Sequence, residues 1–248
     1  MRTASTDMID NDGPLRERGG EVTRLEAFVD AAFAFAVTLL VISLDAIPDS
    51  IDALILALKG VPAFAASFAL IAWFWYLQSR WSRRYGLDDG ATTWLSLLLV
   101  FLVLVYVYPL RMLFGGMFHW ISGGWLPAGY SLRSTYDLRV MFVVYAVAWT
   151  TLGLVILSLH RHAWKLRDRL DLNFAERLEL RSAIASLTLI PLSGLLSALA
   201  AMLMPASFGP AGMSVAGVCY WLMALTGIVG RQAEKRYAQS AGGADAGP

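Results

Sequence analysis

Arg24, Phe28 and Asp30 stand at the threshold of an apolar run from Ala31 to Leu44 that only Thr38 and Ser43 interrupt. A carboxylate at membrane depth costs about 3 kcal/mol on insertion scales, so it normally faces protein and has a partner. On an ideal helix, Leu39 and Ile42 lie within about 40° of Phe35, Thr38 about 60° from it, and Asp30 about 140° away. One face is therefore bulky and apolar with a single hydroxyl, and the other offers a polar anchor to neighbouring helices. Taken alone, such an apolar stripe is a packing surface, because a buried membrane helix is apolar all round. Residues for bond-making chemistry are missing. The chain holds no serine, cysteine or histidine triad, no GxGxxG, no Walker loop and no H-E-x-x-H. His160 and His162 are two apart and point to different helix faces, which makes a poor metal pair; they extend a basic edge instead. His119, among aromatics, is expected at an interface. Cys219 has no partner for a disulfide within the chain and reads as a small buried apolar residue. No catalytic residue, metal or cofactor is called for.

Composition says where these residues must work. Of 248 residues, 57% are hydrophobic and 16% charged, and the mean hydropathy is +0.57. Ordinary globular domains carry about 25% charged residues, so the balance is that of an integral membrane protein. A net charge of +1 gives no reason to expect nucleic acid. The first 23 residues are polar, with Gly13-Pro14 and Gly19-Gly20, and cannot bury enough apolar surface to order themselves. They contain no apolar h-region, so the first helix is expected to be its own insertion signal.

The elements follow from apolar runs and their punctuation. Transmembrane helices are expected over about 24–47, 62–79, 92–110, 138–159, 182–204 and 213–230, giving an all-α polytopic protein with one domain, 24–230. Pro48 stops the first and Pro62 suits a helix start. Ile51 to Leu58 forms an interfacial turn of helix. Trp73, Trp75 and Tyr76, followed by Arg80, Arg83 and Arg84, make an aromatic belt with basic anchors. Tyr108 and Pro109 close the third helix. Residues 111–137, rich in glycine and aromatics, read as a long irregular loop on the membrane surface. The charged stretch 160–179 reads as a solvated amphipathic helix or linker, where salt bridges of Glu176 and Glu179 with Arg177 and Arg181 are worth little. Pro191, Ser193, Gly194 and Ser197 mark a kinked helix that neighbours approach closely. Residues 231–248 are expected to be a disordered tail. Sixteen arginines and lysines fall in the N-terminal tail, the second and fourth loops and the C-terminal tail, against four on the other side. Positive residues stay inside, so both tails are expected in the cytoplasm, which an even number of spans satisfies.

Arg24, Phe28, Val29 and Asp30 resemble the Arg-x-x-x-Phe-Ser-Asp signature of the endosomal and lysosomal potassium channel family (the transmembrane protein 175 family) and its bacterial members, with Val29 in place of the serine. The likeness continues through Thr38-Leu39-Leu40-Val41, Phe74-Trp75 with Arg80, Trp94-Leu95 and Tyr108-Pro109, over residues 24–110; the rest joins by hydropathy. Where the family commonly shows His-His before the arginine, this chain has Gln78-Ser79; where it shows Trp-Leu-Asn, the chain has Trp94-Leu95-Ser96.

The resemblance implies a potassium-permeable cation channel of the bacterial inner membrane. Its partners would be potassium ions, the lipid bilayer and three further copies of itself, a homotetramer around the first helix. It implies that Phe35, Thr38, Leu39 and Ile42 line the pore, with Phe35 at its narrowest ring where the family usually has isoleucine or leucine. It also implies that Arg24, Phe28, Asp30, Gln78, Ser79, Arg80 and Trp94 set the first helix against the second and third. No T-V-G-Y-G carbonyl filter exists in the chain, so an apolar constriction would take its place. The alternative class is a non-conducting membrane scaffold or sensor that keeps the family fold.

Overall fold

The computed structural model describes residues 15–42, 48–131, 134–205 and 215–244, and every regular element among them is helical. Helix α1 spans Arg24–Ile42, α2 Ile51–Lys59, α3 Val61–Tyr85, α4 Gly90–Ile121, α5 Thr135–Lys165, α6 Phe174–Leu187 and α7 Leu189–Leu203. A 3-10 helix, Cys219–Leu225, leads into α8, Thr226–Ala244. Five stretches among the described residues are long and apolar enough to cross a membrane: α1, α3, α4, α5, and α6 taken with α7. Residues 1–14 of the expected tail, 43–47 at the expected end of the first helix and 213–214 of the expected last helix lie outside the described residues.

Helix ends are fixed by side chains that satisfy the free amides. Asp89 caps α4 by accepting from the Thr92 amide, 2.8 Å away. Ser134 with Asp137, and Asn173 with Glu176, close reciprocal capping boxes on α5 and α6. Gly86, at φ 56°, ends α3 in the left-handed conformation that glycine adopts without strain.

Several boundaries differ from those the sequence suggests, each for a packing reason. Helix α4 does not stop at Pro109 but runs on to Ile121. An internal proline removes one backbone bond and kinks a membrane helix without ending it. The glycines beyond it, read as loop, receive the return chain: a Cβ on Gly115 would meet the Ala128 carbonyl, and one on Gly116 the Tyr130 phenol. Helix α3 continues past Ser79 because Trp81 and Tyr85 are buried. The chain is helical again from Phe174, and the break falls at Thr188, where Pro191 cannot donate to the Leu187 carbonyl. The C-terminal stretch, expected to be disordered beyond Gly230, is α8; Tyr237 stacks on Phe174 at 6.1 Å and meets Trp164 edge-on at 5.8 Å.

The core joins α1, α3, α4 and α5, with α7 against α5. Trp149 on α5 stands at its centre, 5.9 Å from the ring of Trp73 and 5.7 Å from that of Tyr220, and donates from Nε1 to Ser193 Oγ at 3.0 Å. Gly153 and Gly194 let α5 and α7 touch, because a Cβ at either would strike the opposite helix. One end of the bundle gathers the charged contacts. Glu179 pairs with Arg80 and Arg84, Arg177 with Asp168, and His162 bonds Asp89. At the other end, Arg139 in the first turns of α5 donates to the Met204 carbonyl that closes α7, at 2.6 Å.

Candidate functional site

Helix α1 begins at a capping box the sequence reading missed. Thr23 Oγ1 accepts from the Glu26 amide at 3.1 Å, and Glu26 Oε2 accepts from the Thr23 amide at 3.0 Å. From there two stripes run along the helix at alternating spacings of three and four. Val29, Phe33, Ala36 and Leu40 are buried against α3 and α4. Phe28, Phe35 and Ile42 are 53%, 55% and 67% exposed, with Ala31 and Thr38 exposed between them and Leu39 half-buried at the margin. Val37 is half-buried and packs on the core. A helix that buries one apolar stripe and leaves an equally apolar second one uncovered has a surface for something outside this subunit.

Thr38 donates its hydroxyl to the Ala34 carbonyl at 3.0 Å. With the proton committed to its own helix, the oxygen can offer only lone pairs outward. Between Phe35 and Ile42 the exposed face of α1 therefore presents one hydrogen-bond acceptor among apolar neighbours.

The positioning residues divide into separate contacts. Asp30 Oδ1 accepts from Trp75 Nε1 at 2.7 Å, which ties α1 to α3. Arg24 is exposed and forms no ion pair among the described residues. Gln78 is 2% exposed and Ser96 fully buried, and Val29 is buried in the same core. Ser79 Oγ accepts from Arg83 at 3.2 Å, and Arg80 reaches across to Glu179 on α6 at 3.1 Å, away from α1. Trp94 is 75% exposed on the outside of α4. The structure thus brings Asp30 to α3 but does not gather Arg24, Arg80 and Trp94 around it. In the sequence Trp75 stands in an aromatic belt and in the Phe74-Trp75 part of the family likeness, and nothing in the spacing assigns its indole to Asp30.

The glutamates of α6 correct the expectation of weak local pairs. Glu176 is 1% exposed and takes both terminal nitrogens of Arg18, each at 2.9 Å, while Glu179 pairs with Arg80 and Arg84. Arg177 pairs with Asp168 instead. His160, read as part of the basic edge, is buried, its Nδ1 2.9 Å from the Ile156 carbonyl; His162 sits 2.6 Å from Asp89. Among the described residues no cluster of histidine, cysteine and carboxylate suited to a metal ion is present.

The family Endosomal/lysosomal potassium channel TMEM175 matches residues 24–109, which are α1 to α3 and the first two-thirds of α4. A curated relative from Marivirga tractuosa, named "Potassium channel", is 34% identical over 195 residues, 76% of this chain and 78% of its own length. The chain belongs to this family. A crystal structure of a variant of the potassium channel MtTMEM175, in complex with a nanobody fusion, superposes with a TM-score of 0.77 at 30% identity and covers 89% of this chain and 97% of that one. A TMEM175 homologue from Chamaesiphon minutus, described as a lysosomal potassium-selective channel, shares the fold with a TM-score of 0.53 at 23% identity, over 82% of this chain and 96% of that one. The match therefore extends beyond the signature helices to α5, α6 and α7, and the chain is a multi-pass membrane protein.

Proposed function

We propose that the protein is a potassium-permeable cation channel of the cell inner membrane, formed by four copies around α1. The observation that carries this reading is the uncovered stripe of α1, apolar except for one hydroxyl, in a family whose named relatives are potassium channels. Four such stripes around an axis give a ring of Phe35 side chains, then Thr38 oxygens, then Leu39 and Ile42. An apolar ring at the narrowest point of such a pore resists wetting, and a cation passes only by shedding part of its water. Potassium surrenders its water more readily than sodium, so the ring favours potassium without a carbonyl filter. Thr38 returns oxygen ligands just past the narrowest point.

The chain crosses the membrane six times with both tails in the cytoplasm. This arrangement is supported by the convergence of Arg16, Arg18, Arg80, Arg84, His162 and α8 at one end of the bundle, and by the basic asymmetry of the loops. Helix α2 then lies on the outer side. The test is recording from the purified protein in planar bilayers under opposed potassium and sodium gradients. Unitary cation currents with a reversal potential displaced toward potassium are expected. A silent bilayer, with the protein tetrameric and folded, would replace this reading by the scaffold or sensor.

A further inference from the structure

Residues 15–23 form a strap immediately before α1 that is held between the end of α3 and the start of α6. The Arg18 and Gly19 amides both donate to the Arg83 carbonyl at the end of α3, at 3.2 and 2.9 Å, and Arg84 Nη1 donates to the Arg16 carbonyl at 2.9 Å. The seat is shaped by two glycines: a Cβ on Gly19 would meet the Arg83 backbone, and one on Gly86 the Arg18 carbonyl. On the other side, Arg18 donates as a fork to both oxygens of Glu176 and from Nε to the Leu170 carbonyl at 3.0 Å. Glu176 is buried and also accepts from the Arg16 amide at 3.0 Å and the Asn173 amide at 2.9 Å. One carboxylate thus holds the strap, the start of α6 and the turn before it. A forked guanidinium–carboxylate pair fixes direction as well as distance.

We propose that Arg18 and Glu176 are positioning residues for α1: through the strap they hold its cytoplasmic end against the second half of the bundle and so set the geometry of permeation. The proposal rests on reading α1 as the permeation helix. Only Gly20, Glu21 and Val22 separate the last anchored residue, Gly19, from Thr23, the cap of α1. Four residue steps reach at most about 14 Å when fully extended, so the strap limits how far the helix start can travel. The contacts join residues more than 150 apart in sequence, which no local role in helix formation explains.

Two variants separate positioning from folding. Arg18→Ala breaks the fork and leaves Glu176 short of its partner. Insertion of four glycines between Gly20 and Glu21 keeps the fork and only slackens the link, so it tests the proposal even where Arg18→Ala fails to fold. Hydrogen exchange of the first α1 turns and potassium flux into proteoliposomes are read on both, with melting temperature as the folding control. The expected result is faster exchange in residues 24–30 and a change in flux of about fivefold or more in the insertion variant, with wild-type melting; a folded Arg18→Ala shows the same changes, and Arg18→Lys, which keeps charge without the fork, shows only part of them. Unchanged exchange in the insertion variant overturns the proposal. So does faster exchange with unaltered flux in a conducting protein. Faster exchange in a protein whose wild type passes no current keeps the strap as the anchor of α1 and removes the channel reading instead.

Discussion

At the scale of single residues, the contact between Asp30 and Trp75 explains how α1 is oriented so that Phe35 faces away from its own subunit. Asp30 and Phe35 lie on opposite sides of the helix, and tying the first to α3 presents the second outward. Removing either partner forfeits a hydrogen bond to a charged group, about 2 kcal/mol. Asp30→Ala and Trp75→Phe should therefore each lower the melting temperature in detergent by several degrees. Together they should lose little more than either alone, because each leaves the other without its partner. Additive losses would show that the two side chains act independently. The sequence made the anchor legible, since a carboxylate beside an apolar run needs a partner. It did not make the partner legible, because several indoles sit near the end of the same helix and only the rotation of α3 selects Trp75.

At the scale of elements, what sequence pattern could not show is what long-range contact decides. The apolar runs located α1, α3, α4 and α5, and the proline in α7 its broken start. Glycines misled twice. Gly115 and Gly116 read as loop but are the places where the return chain presses on α4, and Gly19 read as part of a disordered tail but seats the strap on α3. Spacing argues about neighbours three or four residues away, whereas Arg18 and Glu176 meet across the molecule. The turn between α3 and α4 shows the same economy in Asp89, which caps α4 and bonds His162 of α5. Partial burial alone would raise its carboxyl. The Thr92 amide and the His162 ring outweigh that and hold it below the ordinary value. Its stabilising contribution is thus complete above the ordinary carboxylate range and disappears only as pH falls through the lowered value. Asp89→Ala should cost about 1 kcal/mol from the lost cap at neutral pH. In thermal melts that gap from wild type should close under strong acid; a gap that persists there would locate the effect elsewhere.

At the scale of the whole molecule, one end rich in basic groups and one end poor in them define an orientation that reporter fusions can read. Fusions after Arg84, Arg169 and Arg236 should report the cytoplasm, and one near Gly123 the outside. A cytoplasmic signal at Gly123 would remove the six-span arrangement. The proposed assembly rests on α1, whose second apolar stripe is left uncovered within one subunit. Four copies would turn that stripe into the wall of a cation path with Phe35 as its narrowest ring, where the phenyl faces can lie against one another. The most direct test is single-channel recording of Phe35→Ala beside Val37→Ala, a residue about 160° away around the helix that packs on the core. Phe35→Ala should widen and wet the ring, raising conductance and flattening the preference for potassium over sodium, while Val37→Ala leaves both as in wild type. Conductance altered by Val37→Ala, with Phe35→Ala only destabilising the fold, would contradict the account.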